Sequence, residues 1–148
     1  MKKLIIIRKF QPSDFQGVIE IERKAFNEHD PYLYMQFYEI YPDTFIVAEI
    51  NGFVAGYIAG FTTPEGVGRI FSLAVNPAYQ KRGIGSNLLK EIINQFRNMG
   101  VLEIILEVRS DNIKAKRFYE KHGFFQFGIA EKYYNDAQNA CLMKYELF

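Results

Sequence analysis

Cysteine is nearly absent: Cys141 is the only one in 148 residues. An internal disulfide is therefore excluded and a thiolate metal site would lack ligands, a usage that fits a reducing compartment. Histidine is almost as scarce, and His29 and His122 could not hold a metal without further partners. Neither sign of charge prevails. With 18 basic against 17 acidic side chains and a pI near 7.8, the chain is not built to coat nucleic acid or an anionic membrane, so any phosphate binding must be local. Long apolar runs are missing as well. Leu4-Ile5-Ile6-Ile7 is followed at once by Arg8-Lys9, far short of a signal-peptide core or a membrane span. No repeat, low-complexity tract or linker interrupts the chain. The expectation is a soluble cytoplasmic protein, a single domain over residues 1–148, present as a monomer or homodimer without metal.

What is present is apolar material in ordered periodicities. Hydrophobic residues make up 49% of the chain, enough for one compact core. Lys2 to Phe10 reads as a strand, and Gln11-Pro12-Ser13 ends it. Ser13 or Asp14 can cap a helix whose Phe15, Val18, Ile19, Glu22 and Phe26 share one side. Pro31 suits a helix start, and the aromatic-rich segment Tyr32 to Tyr41 reads either as a core helix edged with tyrosines or as a substrate wall that includes Tyr32. Thr44 to Ile50 and Phe53 to Phe61 flank Asn51-Gly52, a two-residue hairpin signal. Gly68 to Val75 is the next strand. Beyond Gly100, Val101 to Arg109 alternates so that Ile104, Leu106 and Val108 face one way and Glu103, Ile105, Glu107 and Arg109 the other. Asp111-Asn112 caps a helix carrying Ala115, Phe118, Tyr119 and His122, which Gly123 closes. Phe124 to Ile129 and Ala140 to Leu147 are final strands around a polar loop, Glu131 to Asn139. The predicted order is β-α-α-β-β-β-α-β-α-β-β, an α/β mixture.

The stretch from Leu73 to Leu89 joins a strand to a helix through Gln80-Lys81-Arg82-Gly83-Ile84-Gly85. Two glycines remove Cβ atoms that would keep a diphosphate from the backbone, and the first helical N–H groups have no intrahelical partner. Free donors, the positive helix end, Lys81 and Arg82 together make an anion site; the alternative is an ordinary glycine-containing helix cap.

Three motifs in sequence carry a resemblance: Gln80-x-x-Gly83-x-Gly85, Leu106-Glu107-Val108-Arg109, and Asn112-x-x-Ala115-x-x-x-Tyr119-Glu120-x-x-Gly123-Phe124. In these motifs and in element order the chain resembles the GNAT superfamily of acyl-CoA-dependent N-acyltransferases, most of all the RimI-like and N-terminal protein acetyltransferases. The resemblance implies a GNAT fold: a mixed, mostly antiparallel sheet of about seven strands with about four helices and a splayed cofactor cleft. It further implies that Leu73, Ala74 and Val75 offer backbone groups to the pantetheine of acetyl-CoA. Lys81, Arg82, Gly83, Ile84, Gly85 and Ser86 would hold its diphosphate, and Asn112 would also contact the cofactor.

By the same resemblance Glu107 and Tyr119 match the base and acid positions. Acetyl transfer needs a neutral amine, a polarised thioester and a proton for the departing thiolate. A carboxylate at Glu107 should be partly desolvated, with Arg109, two residues along on the same face, as the compensating cation; a structural Glu107–Arg109 pair is the competing reading. Periodicity alone would make Tyr119 a packed aromatic. Tyr133-Tyr134 is similar to the tyrosine loop that grips a peptide N-terminus, or else is hairpin packing, and Asn139 replaces an acidic residue common in relatives. His122 reads as a helix-end residue, and nothing assigns Cys141 a covalent acetyl.

Proton affinity favours an α-amine acceptor. With a pKa near 8 it is roughly a tenth to a third neutral at cytoplasmic pH, whereas lysine is on the order of one part in a thousand neutral. The expected activity is direct acetylation, in a ternary complex, of protein or peptide N-termini, ribosomal proteins among them. The alternatives are acetylation of a small amine (a polyamine, amino acid or antibiotic) and a non-catalytic acyl-CoA-binding module.

Overall fold

The computed structural model describes residues 4–147; Lys2 and Lys3, placed in the first strand by the sequence reading, lie outside them. The elements are β1 (Ile5–Lys9), α1 (Phe15–Ala25), α2 (Tyr32–Ile40), β2 (Phe45–Ile50), β3 (Phe53–Thr62), β4 (Gly68–Val75), α3 (Ile84–Asn98), β5 (Glu103–Arg109), α4 (Ile113–Lys121), β6 (Phe125–Ala130) and β7 (Ala140–Glu146). Short 3-10 turns precede α1, β2 and α3. This is the order read from the sequence. The strands form one seven-stranded sheet in the order β1-β2-β3-β4-β5-β7-β6. Pairing is antiparallel for β1–β2, β2–β3, β5–β7 and β6–β7, and parallel for β4–β5.

Two compact units make up the chain. The first holds the residues up to Phe61 together with Ile70–Met99. Its β2 is buried along nearly its whole length, because apolar elements cover both faces, so its sequence shows no polar alternation. Phe45 and Val47 join Val18, Ile21, Tyr34 and Tyr57 in a core with α1 and α2, while α3 packs against β1 and β2 through a stripe of Leu88, Leu89, Ile92 and Phe96. Gly56 permits that seating: a Cβ there would stand 3.1 Å from the Ala74 carbonyl oxygen and 3.2 Å from Ile84 Cγ2 and Leu88 Cδ1. The Asn51-Gly52 turn has φ of 51° and 82°, the backbone that a two-residue hairpin demands.

Asp14 departs from its expected role. Its side chain makes no cap bond to α1; its two oxygens instead take Nη1 and Nη2 of Arg8 at 2.8 Å each, and Oδ2 also accepts the Gln11 N–H at 2.8 Å. The Arg8 Nε donates to Glu49 at 3.0 Å. A carboxylate only 5% exposed finds more in a bidentate guanidinium than in a helix end.

The second unit comprises Thr62–Arg69 and the residues from Gly100 onward. Its β5 alternates as predicted, with Ile104, Leu106 and Val108 buried and Glu103, Ile105, Glu107 and Arg109 half-buried. Tyr119 is the buried residue of α4 and packs on Phe124, which in turn meets Tyr145. The expected apolar side of α4 is thus narrower than its sequence suggests, since Ala115, Phe118 and His122 are only partly covered.

Candidate active site

In the first unit the turn before α3 is built for backbone donors. Asn76 starts it, its Oδ1 accepting the Ala78 N–H at 3.0 Å, and its own N–H donates to the Ala55 carbonyl at 2.8 Å. Lys81 and Gly83 then take φ of 64° and 76°, and Gly83 is the N-cap of α3 without a side chain to cap it. A Cβ added to Gly83 would meet nothing within 4 Å, so the glycine answers to its dihedral rather than to packing. The first-turn amides of α3, at Ile84, Gly85 and Ser86, therefore lack intrahelical acceptors and sit at the positive helix end. Lys81 and Arg82 are exposed beside them, whereas the Ile84 side chain belongs to the core. Such a cradle fits a diphosphate. Upstream, Ala74 is buried and Leu73 and Val75 are half-buried.

In the second unit the chemistry lies on β5 and α4. Glu107 Oε1 forms an ion pair with Arg69 Nη2. Arg69 enters β5's neighbourhood because β4 pairs parallel with β5 at Gly68↔Ile104 and Arg69↔Ile105. Arg69 is thus a cation on Glu107 that sequence reasoning, which named Arg109 for that place, did not anticipate. Arg109 itself pairs with Asp136, lies 3.9 Å from Asp111, and places its guanidinium 4.5 Å from the Tyr134 ring centroid. Tyr119 is 9% exposed, and burial pushes its phenol well above the usual tyrosine value, with the nearby Tyr134 adding to the rise. A phenol so held is a neutral O–H donor at physiological pH.

The predicted acceptor loop is tied to its own backbone and to the residue that follows β5. Ser110 N–H donates to the Asn139 carbonyl and Lys132 N–H to Asn139 Oδ1, each at 2.9 Å, so Asn139 serves the loop's backbone. Tyr133 is exposed and Tyr134 half-buried, their rings 5.0 Å apart edge to face. Asn112 spends its Oδ1 as the α4 N-cap, accepting Ala115 N–H at 3.0 Å, and remains exposed. His122 Nδ1 lies 2.8 Å from the Phe118 carbonyl, as a helix-end residue would. Cys141 is buried between Val108 and Ile129 in the sheet register.

Tyr32 is 76% exposed, while Tyr34, two residues on, is fully buried. The second helix is therefore neither wholly core nor wholly wall. Sequence reasoning missed what Tyr34 joins: its hydroxyl lies 3.2 Å from Tyr57 Oη and 3.3 Å from Ser72 Oγ, and His29 Nδ1 is 3.1 Å away. Behind His29 lies the buried Glu22 carboxylate at 3.8 Å. Glu22 recurring on the apolar side of α1 was the one available signal. Arg69 had none, since nothing in a strand names its partner in a distant one.

The sequence profile of the Acetyltransferase (GNAT) family matches residues 15–124. An uncharacterized N-acetyltransferase of Methanocaldococcus jannaschii is 44% identical over 141 residues, covering 94% of this chain and 90% of that protein. An N-alpha-acetyltransferase of Sulfurisphaera tokodaii is 33% identical, covering 93% and 90% respectively. Among solved structures, Ard1 from Thermoplasma volcanium superimposes with a TM-score of 0.93 at 32% identity over 97% of this chain and 98% of that one.

Proposed function

The chain belongs to the acetyltransferase (GNAT) family, and from that premise we propose that it moves an acetyl group from acetyl-CoA to the α-amine of protein or peptide N-termini. It is an acyltransferase of the N-acetyltransferase kind, similar to RimI-like and N-terminal enzymes. The observation that carries the donor assignment is the start of α3, where Gly83 caps the helix without a side chain and leaves the first-turn amides to a diphosphate. Lys81 and Arg82 add charge, Leu73 to Val75 offer backbone groups to the pantetheine, and Asn112 keeps its amide nitrogen for the same ligand. The family match runs through both compact units, which supports one catalytic domain over residues 1–148.

When bound, acetyl-CoA supplies the thioester carbonyl that the amine attacks. Transfer is direct, within a ternary complex: the C–N bond forms as the C–S bond breaks. Glu107 takes the amine proton, through water, and the Tyr119 hydroxyl gives a proton to the departing sulfur. Tyr133, Tyr134 and Tyr32 contact the acceptor chain. Support for an N-terminal acceptor comes from relatives named for N-alpha and ribosomal-protein alanine acetylation and from the proton affinity of α-amines.

CoA release from acetyl-CoA should occur with a peptide bearing a free N-terminus and vanish when its α-amine is blocked. Equal rates on both peptides, or turnover confined to polyamines and amino acids, would refute this acceptor.

A further inference from the structure

Between α1 and α2 the chain turns over residues 26–31, and most of that turn faces water: residues 26–28 and Asp30 are exposed, while His29 is half-buried. Glu22 holds the first half of the turn. Its carbonyl accepts the Phe26 and Asn27 N–H groups at 2.8 and 2.9 Å, and its buried carboxylate accepts the Glu28 N–H at 3.2 Å; Asn27 takes a φ of 52° in doing so. Asp30 holds the second half, its Oδ1 accepting the Tyr32 N–H at 2.9 Å. His29 links the turn to the core. Its ring lies 4.5 Å from that of Phe71 on β4, and its Nδ1 lies 3.1 Å from Tyr34 Oη.

The imidazole is the donor in that last bond. Tyr34, Tyr57 and Ser72 form a closed ring of hydroxyls at 3.2, 3.3 and 2.8 Å. Burial raises both phenols, Tyr34 to about 12 and Tyr57 further, so each keeps its proton. Three hydroxyl protons serve the three contacts of the ring. The fourth contact, to His29, therefore takes its proton from Nδ1. The Glu22 carboxylate, 3.8 Å from the same nitrogen, agrees with this, because its oxygen attracts an N–H and repels a lone pair.

We propose that His29 is a positioning residue for the acceptor: by donating from Nδ1 to Tyr34 it fixes the 26–31 turn to the core, and with it the start of α2, where Tyr32 meets the acceptor chain. The inference rests on Tyr32 contacting the acceptor, as read above. Tyr32 is 76% exposed, so its place depends on the backbone beneath it more than on packing around it. The effect of His29 falls on binding. A turn that samples other conformations weakens acceptor affinity by the fraction of time it spends out of place, while the groups that carry out the transfer are untouched.

The test measures kcat and KM for a free-α-amine peptide and for acetyl-CoA in each variant. His29→Leu keeps apolar bulk against Phe71 and removes the donor; its acceptor KM should rise by about three- to tenfold, the worth of one hydrogen bond, with kcat and the KM for acetyl-CoA within about twofold of wild type. His29→Asn returns an amide N–H to the place of Nδ1–H and should restore the wild-type KM. Tyr34→Phe, which removes the accepting oxygen, is the second variant should His29→Leu not fold, and it should raise the acceptor KM alike. An acceptor KM unmoved in His29→Leu, a His29→Asn as impaired as His29→Leu, or a loss that falls equally on kcat and on acetyl-CoA overturns the proposal. Tyr32→Ala, run in parallel, separates the two levels. If it leaves the acceptor KM unmoved, the reading of Tyr32 has failed and the inference falls with it; if it raises that KM while His29→Leu does not, only the inference about His29 has failed.

Discussion

Replacing Tyr119 by phenylalanine removes one oxygen and keeps the ring. That ring is 9% exposed and packs edge-on against Phe118 at 5.2 Å and Phe124 at 5.6 Å, contacts which phenylalanine preserves. The stability cost is then bounded by a lost hydrogen bond, about 1 kcal/mol, or a Tm change of about 2–4 °C at this chain length. If the hydroxyl delivers the proton to the leaving sulfur, kcat should fall by about 10²–10⁴, equivalent to about 2.7–5.4 kcal/mol of barrier. The two magnitudes are far enough apart for one variant to separate chemistry from packing. The pH profile adds a sign. Burial raises the Tyr119 phenol above its ordinary value of 10.0, so it stays protonated while an α-amine with pKa near 8 deprotonates. Wild-type kcat/KM should therefore climb to about pH 8 and hold a plateau to about pH 10, with the same climb at a lower level in Tyr119→Phe, because the limb belongs to the amine. CoA thiol release at saturating acetyl-CoA, with Tm from circular dichroism, measures both. A kcat within about threefold of wild type at unchanged Tm would fall below any general-acid contribution and refute the role.

Two further perturbations probe the scaffold. Arg8→Met strands the Asp14 carboxylate in a site only 5% exposed, so it should cost about 3–5 kcal/mol, a Tm loss of about 6–20 °C; Arg8→Met combined with Asp14→Leu should recover much of it, and a single variant as stable as wild type would contradict the ion-pair account. Burial also raises the phenols of Tyr34, to about 12, and of Tyr57, further still. Above about pH 10 the unfolded chain therefore holds fewer protons than the folded one, so stability falls as pH rises, by up to about 1.4 kcal/mol per pH unit for each tyrosine. Urea denaturation between pH 8 and about 11.5 should show this, and Tyr57→Phe should flatten the slope; an unchanged slope would place the alkaline sensitivity elsewhere.

Periodicity and turn chemistry were legible in the linear chain because each acts over a few neighbouring residues. The alternation of Ile104, Leu106 and Val108, the positive φ at Asn51-Gly52 and the glycine start of α3 all follow from local rules. The candidate residues Glu107, Tyr119 and Gly83 were legible for a different reason, since their spacing repeats a family pattern. Partners were not. Asp14 reads locally as a helix cap, yet it pairs with Arg8, because a side chain aimed into a buried corner takes the strongest donor that the fold brings there.

The sequence alone determined the order of elements, the anion-capable turn and the identity of the base and acid candidates. Only the tertiary structure decided that Arg69 stands against Glu107. The same holds for the Tyr34 hydroxyl, which meets Tyr57 and Ser72 in the core. Both are contacts between residues far apart in sequence, set by strand register and helix seating. Charge and hydrogen-bond energies depend on distance in space, and a chain read residue by residue carries no such distances.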